Sequence, residues 1–223
     1  EVRFARCTDP DGKHYGVVEL GEQTWMAENL AFLPAVCPSD VGSDTAKCYY
    51  VSGYEGTSVS SAKGEPNFKN YGVLYNWPAV MNGESKSNSV PSGVRGICPD
   101  GWHLPSDAEW MILEQYLGMS ESELSNTGWR NTGTVGKKLK SISGWNNNGG
   151  GDNSSGFNVI PAGDRDISGG FTGLGIYTDF WSSSEFNVTL LAWARGFYTR
   201  WDGVTRSFIT RRYGFSVRCV KNE

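Results

Sequence analysis

Histidine is almost missing from this chain: His14 and His103 are the only two in 223 residues. The five cysteines contain no CxxC pair and no Cys/His cluster, so a zinc site has no ligand set to start from. No run of about 18 apolar residues is present, which excludes a membrane-spanning helix. Charged residues are scarce at 20%, and the net charge of −4 argues against a nucleic-acid partner held by phosphate contacts. Heptads, collagen triplets, low-complexity tracts and internal repeats are all absent. The chain opens Glu1-Val-Arg-Phe, without an initiator Met or a signal peptide, and is read as a mature or trimmed chain.

In place of charge there are 29 Gly, 9 Trp, 10 Tyr and 10 Phe. So many aromatics exclude a disordered chain. A chain rich in aromatics and glycine and poor in charge predicts a loop-heavy protein. No shift in composition marks a boundary, so residues 1–223 are expected to form one domain. From Leu191 onward seven basic residues face two acidic ones, a balance of +5, which leaves −9 on residues 1–190. The C-terminal segment is therefore basic on an acidic body.

The cysteines fit an exported protein with two disulfides and one spare thiol, Cys7. Cys37 and Cys48 bracket a polar, turn-rich segment that suits a local bridge. Cys98 and Cys219 flank the longest well-patterned stretch, where closing the loop would constrain the unfolded chain most. The pairings Cys37–Cys48 and Cys98–Cys219 are the expected ones.

Local structure is clearest at Trp102-His-Leu-Pro-Ser-Asp-Ala-Glu-Trp110. Ser106 is an N-cap and Glu109, three residues on, completes a capping box. Trp110, Leu113 and Leu117 follow at helical spacing, and Gly118 suits a left-handed stop. The spacing predicts a helix over 107–117 and a shorter one near 135–141. Gly144 to Gly156 holds one apolar side chain in thirteen residues, a long loop anchored by Trp145 and Phe157. From Phe180 the pattern turns strand-like. Trp193, Arg195 and Phe197 alternate along 191–200, Asp202-Gly203 is a hairpin dipeptide, and Val204, Arg206 and Phe208 return. Phe215, Val217 and Cys219 read as a last strand.

Several ordered motifs resemble the Fibrobacter succinogenes major paralogous domain family. They are Thr8-Asp-Pro-Asp-Gly-Lys-His-Tyr15, Trp25-Met-Ala-Glu-Asn-Leu30, Tyr71-Gly-Val-Leu-Tyr-Asn-Trp77, Cys98 to Trp110, Gly156-Phe-Asn-Val-Ile-Pro-Ala-Gly163, Phe180-Trp-Ser-Ser-Ser184 and Gly214-Phe-Ser-Val-Arg-Cys219. That family has no assigned activity, and the resemblance implies an exported or surface protein, often a lipoprotein. The family in turn resembles the C-type-lectin-like fold, shared with formylglycine-generating enzymes. That implies an α+β fold: two helices on a small twisted antiparallel sheet, with long irregular loops over one end.

Three sites compete. An enzyme related to formylglycine-generating enzymes would need a free C-terminal thiol, but Cys219 suits a disulfide. His103 and Glu109 suit helix capping or packing better than acid–base work. Glu65-Pro66-Asn67 spells a mannose-binding lectin tripeptide, but it precedes the helix it should follow and is read as chance. Calcium could be held by Asn146, Asn148, Asp152 and Asn153 in the glycine-rich loop, although only Asp152 is charged there. The third site is an aromatic and basic surface of Trp193, Arg195, Tyr198, Arg200, Trp201, Arg206, Arg211 and Arg212. Aromatic faces stack on sugar rings and Arg offers planar donors, but one alternating set on a half-buried sheet must be core. The reading is a monomeric, non-enzymatic surface binding or adhesion module for a glycan or surface protein. A structural subunit of a surface assembly is the rival.

Overall fold

The capping box forms as predicted and starts the longest helix. Ser106 Oγ accepts from the Glu109 backbone N–H, and the Glu109 carboxylate accepts from that of Ser106. In the computed structural model, which describes residues 7–187 and 190–222, this helix runs Asp107–Tyr116 and Gly118 takes φ +103° just beyond it. Glu1 and Glu223, the terminal residues named or counted above, lie outside the described residues.

In chain order the elements are β1 (Cys7–Thr8), β2 (His14–Tyr15), β3 (Val17–Leu20), β4 (Gln23–Met26), β5 (Tyr49–Tyr50), α1 (Val59–Gly64), α2 (Pro66–Tyr71), β6 (Leu74–Tyr75), α3 (Trp77–Met81), β7 (Trp102–His103), α4 (Asp107–Tyr116), α5 (Glu121–Leu124), β8 (Gly128–Arg130), α6 (Val135–Leu139), β9 (Ala162–Arg165), β10 (Phe171–Leu174), β11 (Tyr177–Glu185), β12 (Leu191–Tyr198), β13 (Val204–Thr210) and β14 (Val220–Lys221). The protein is mixed α and β, with short helices and several sheets. The main sheet has six strands in the order β10-β9-β11-β12-β13-β8. It is larger than expected and not wholly antiparallel, because β9 and β11 run parallel. A second sheet, β3-β4-β14-β7, brings residues 17–26 against residues 220–221.

Alternation along β11 and β12 splits the core between the two faces of the main sheet. Phe180 and Phe197 point to the α4 side and join Trp25, Trp110 and Phe157. Trp181, Ala192 and Ala194 point the other way and join Tyr75, Trp77 and Phe215. Burying so many large aromatics is the main stabilising term, at roughly 25 cal/mol per Å² of apolar surface.

Two expected elements differ. Residues 214–216 form isolated bridges to Arg165, Tyr75 and Phe180 in place of a regular strand, and regular pairing resumes at β14. The segment is stitched to three partners at once, and the buried Arg218 guanidinium donates to the carbonyls of Met26, Phe157 and Asn158. The β12–β13 connection is also longer than a two-residue turn. It spans 199–203 because the Tyr198 and Trp201 carbonyls turn inward to accept from Lys140 Nζ.

Candidate ligand-binding surface

Arg195 and Arg206 lie cross-strand from each other on β12 and β13, under α4. Arg195 is 0% exposed. Its Nη1 reaches Asp107 Oδ1 at 2.7 Å and its Nε reaches Glu114 Oε1 at 2.7 Å. Arg206 grips the same Asp107 at 2.7 Å, and Arg130 pairs with Glu114 at 2.6 Å. Burial pushes the Asp107 carboxyl up. The Arg195 charge and the Arg206 hydrogen bonds outweigh it and hold the carboxyl below its ordinary range. Trp193 is buried as well, with the Arg206 guanidinium 3.6 Å from its ring centre. The expectation that Trp193, Arg195 and Arg206 meet a ligand is therefore corrected: these side chains form a closed ion network between sheet and helix.

Arg211 and Arg212 stand at the far end of β13, ~20 Å along the strand from Trp201 at ~3.3 Å per residue. Arg211 pairs with Glu185 and covers the Trp77 ring at 4.3 Å. Arg212 is exposed and lies 3.5 Å from Asp44. Neither joins the remaining predicted residues.

Tyr198, Arg200 and Trp201 do come together, and sequence reasoning missed their neighbours. Trp129 on β8 stacks on Trp201 at 5.0 Å and meets Tyr198 edge-on at 5.0 Å. Tyr177 on β11 stacks on Tyr198 at 5.2 Å. Trp201 is 47% exposed and Trp129 38%. Beside them a shallow pocket of about 220 Å³ is lined by Asn146, Asn147, Ile176, Tyr198, Thr199 and Trp201, with Arg200 on its margin. Trp129 sits outside any amphipathic pattern, so only its place at the sheet edge beside β13 reveals it.

The glycine-rich loop walls this pocket and spends its oxygens on itself. Lys140, buried, donates from Nζ to the carbonyls of Gly149, Tyr198 and Trp201. Thr199 Oγ1 donates to the Asn146 carbonyl. Asp152 Oδ1 accepts from the Ser154 N–H and Asn153 Oδ1 from that of Asn158. Asn148 is exposed and takes a left-handed φ of 54°. Of the four loop residues expected to hold calcium, Asn146, Asp152 and Asn153 thus have an oxygen accepting a hydrogen bond from the protein, and Asn148 is exposed. Among the described residues no three His, Cys, Asp or Glu side chains gather as a metal group.

The Cys98–Cys219 disulfide forms as expected and joins residues 121 apart. Cys37 and Cys48 are thiols here, not the expected bridge, with Cys48 buried and Cys37 half-buried. Cys7 is a buried thiol. His103 Nε2 lies 2.7 Å from Glu109 Oε1, and Nδ1 lies 2.7 Å from Asn222 Oδ1, so both ring nitrogens are engaged around the capping box. Glu65-Pro66-Asn67 forms the start of α2, where Asn67 donates to the Ser52 carbonyl.

The scaffold is mixed α and β, with a buried ion network on one sheet face and open aromatic rings at one end, and no described helix is long and apolar enough to cross a bilayer. Residues 18–221 match the family described as the Fibrobacter succinogenes major domain, and the chain belongs to that family. No match to a curated protein or to a solved structure was found.

Proposed function

We propose that this protein is a non-enzymatic binding module that recognises carbohydrate through the Trp129, Tyr198 and Trp201 rings. The observation that carries the reading is the exposed Trp129–Trp201 stack beside a shallow pocket. Indole faces left in water at a sheet edge suit the apolar faces of sugar rings. The side chains of Asn147 and Arg200 offer donors and acceptors to hydroxyls at the rim. The C-type-lectin-like architecture belongs to the same reading: a helix-backed sheet carries the site on loops at one end. So does a monomeric, single-domain protein at the cell surface, where a long-range disulfide such as Cys98–Cys219 persists.

A glycan array followed by calorimetric titration of the best hit tests this. The wild-type chain is expected to bind a glycan class saturably. Trp129→Ala with Trp201→Ala is expected to weaken binding at least tenfold without lowering the melting temperature by more than a few degrees. Retained binding in that double variant, or a blank array together with self-association through these rings, would overturn the reading in favour of a structural subunit.

A further inference from the structure

A cleft of about 400 Å³ is lined by the last turn of α2 together with parts of 28–31 and 158–160. It shares no residue with the pocket beside Trp201 and is nearly twice its volume. Small-molecule sites run from roughly 300 to 1,000 Å³. Five of the seven stretches that carry the family resemblance reach its walls, through Lys13, Glu28, Tyr71, Asn158 and Arg218 among others. Trp129, Tyr198 and Trp201 lie in none of those stretches.

The charge around the cleft is one-sided. Lys13, Lys69 and Arg218 are its cations and Glu28 its one anion, on a chain whose net charge is −4. Glu28 is already answered: its carboxylate lies 3.1 Å from Lys13 Nζ and accepts from the Gly16 backbone N–H. Partial burial pushes that carboxyl up, but the Gly16 and Lys13 hydrogen bonds outweigh it and hold the group below its ordinary range. Lys69 is exposed and Arg218 is buried, and neither has an ion-pair partner among the described residues. Arg218 forms the floor, with Nε donating to Asn29 Oδ1 and Nη2 to the Asn158 carbonyl. Burial pulls this guanidinium down to about 9, and the Glu28 charge opposes that shift. A buried charge without a counter-charge favours an anion nearby.

The other side chains describe the rest of a ligand. The side-chain amides of Asn70 and Asn158 and the Tyr71 hydroxyl have no hydrogen-bond partner among the described residues, which leaves them for hydroxyl groups. Phe68 and Ile160, both half-buried, give an apolar wall on which a ring can lie. No helix N-terminus enters the lining, so the cleft lacks the usual cradle for a phosphate.

We propose that this cleft binds a sugar acid, a hydroxylated ring carrying one carboxylate, of the uronic acid type. Lys69 pairs with the carboxylate and the field of Arg218 favours it. Asn70, Asn158 and Tyr71 meet hydroxyls. The site is separate from the aromatic surface and does not rest on it.

Ligand-observed NMR titration of the full chain tests this, with galacturonic acid, glucuronic acid, their methyl esters and galactose as probes. At least one acid is expected to bind saturably, one per chain, and its ester and galactose at least tenfold more weakly. Lys69→Ala is expected to weaken acid binding at least fivefold at an unchanged melting temperature, because Lys69 is exposed and unpaired. Glu28→Gln removes the one negative charge and is expected to tighten binding. Trp129→Ala with Trp201→Ala is expected to leave it unchanged. Saturable binding of neither acid, equal affinity for acid and ester, or displacement of the acid by an equal concentration of inorganic phosphate would overturn the proposal. So would unchanged affinity in both Lys69→Ala and Glu28→Gln, or a loss confined to the Trp129 and Trp201 variant. Retained acid binding in that double variant also separates failure of the aromatic-surface reading from failure of this one.

Discussion

Arg195 and Gly196 are consecutive on β12, yet they face two different solutions to buried charge. On the α4 side, Arg195 lies between Asp107 and Glu114, and every carboxylate in that network has a guanidinium against it. On the other side, Gly196 makes room for Asp179, which has none among the described residues. The first arrangement is closed and holds α4 to the sheet. The second leaves a buried carboxyl that desolvation pushes well above its ordinary range, next to rings that remain in water. One carboxyl is kept ionised by its partners and the other is pushed toward its neutral form by burial, although both lie against the same sheet.

The comparison breaks most sharply at Arg195. Arg195→Met takes one of the two guanidinium groups from each of Glu114 and Asp107 in a dry interior, and breaking such a buried pair costs ~3–5 kcal/mol. Denaturant unfolding should show that drop, while Trp201→Ala stays within about 1 kcal/mol of the wild type, as surface changes do. A cost below about 1 kcal/mol for Arg195→Met would mean that the network is not what fastens the helix.

The disulfide comes next. Replacing both Cys98 and Cys219 with Ala is expected to cost ~2–5 kcal/mol in the same assay. Cys37 and Cys48, unbridged, provide the contrast, and replacing both with Ser should cost less. Equal costs would show that the short pair also bridges in the folded protein.

The smallest effect is acid sensitivity. Asp107 is held below its ordinary range when folded, so unfolding takes up a proton as the pH falls. Its stabilisation is complete above about pH 4, the ordinary carboxylate value, and is lost as the pH drops through the folded value. Melting temperatures read from pH 6 down to pH 2.5 should fall through the lower half of that range. Asp107→Asn should start lower and fall less. A profile that keeps its slope in Asp107→Asn would assign the acid transition to other carboxylates.

Much of the scaffold was legible in the sequence because it rests on short-range rules. The capping box at Ser106, the stop at Gly118 and the alternation of Trp193, Arg195 and Phe197 each depend on residues within a turn or two. Tyr198, Arg200 and Trp201 were legible as an aromatic and basic cluster for the same reason. Trp129 and Tyr177 were not, because their partners come from strands distant in sequence. Nor could alternation decide which face of β12 would be closed. That depended on α4 bringing two buried acids, and a basic residue opposite them became an ion-pair partner instead of a ligand contact. In the glycine-rich loop, likewise, only the structure showed that Lys140, outside the loop, donates to the Gly149 carbonyl and ties the loop to the carbonyls of Tyr198 and Trp201.

By itself, then, the sequence determined where the long helix starts, how side chains alternate along the last strands, and the family resemblance that residues 18–221 bear out. Only the tertiary structure decided which charges are paired. It put Arg195 against two acids and left Asp179 beside Asp164 with no counter-charge among the described residues. The reason is register: a parallel ladder brought together two residues fifteen apart in the chain, and the cost of a buried charge depends on what stands beside it in space.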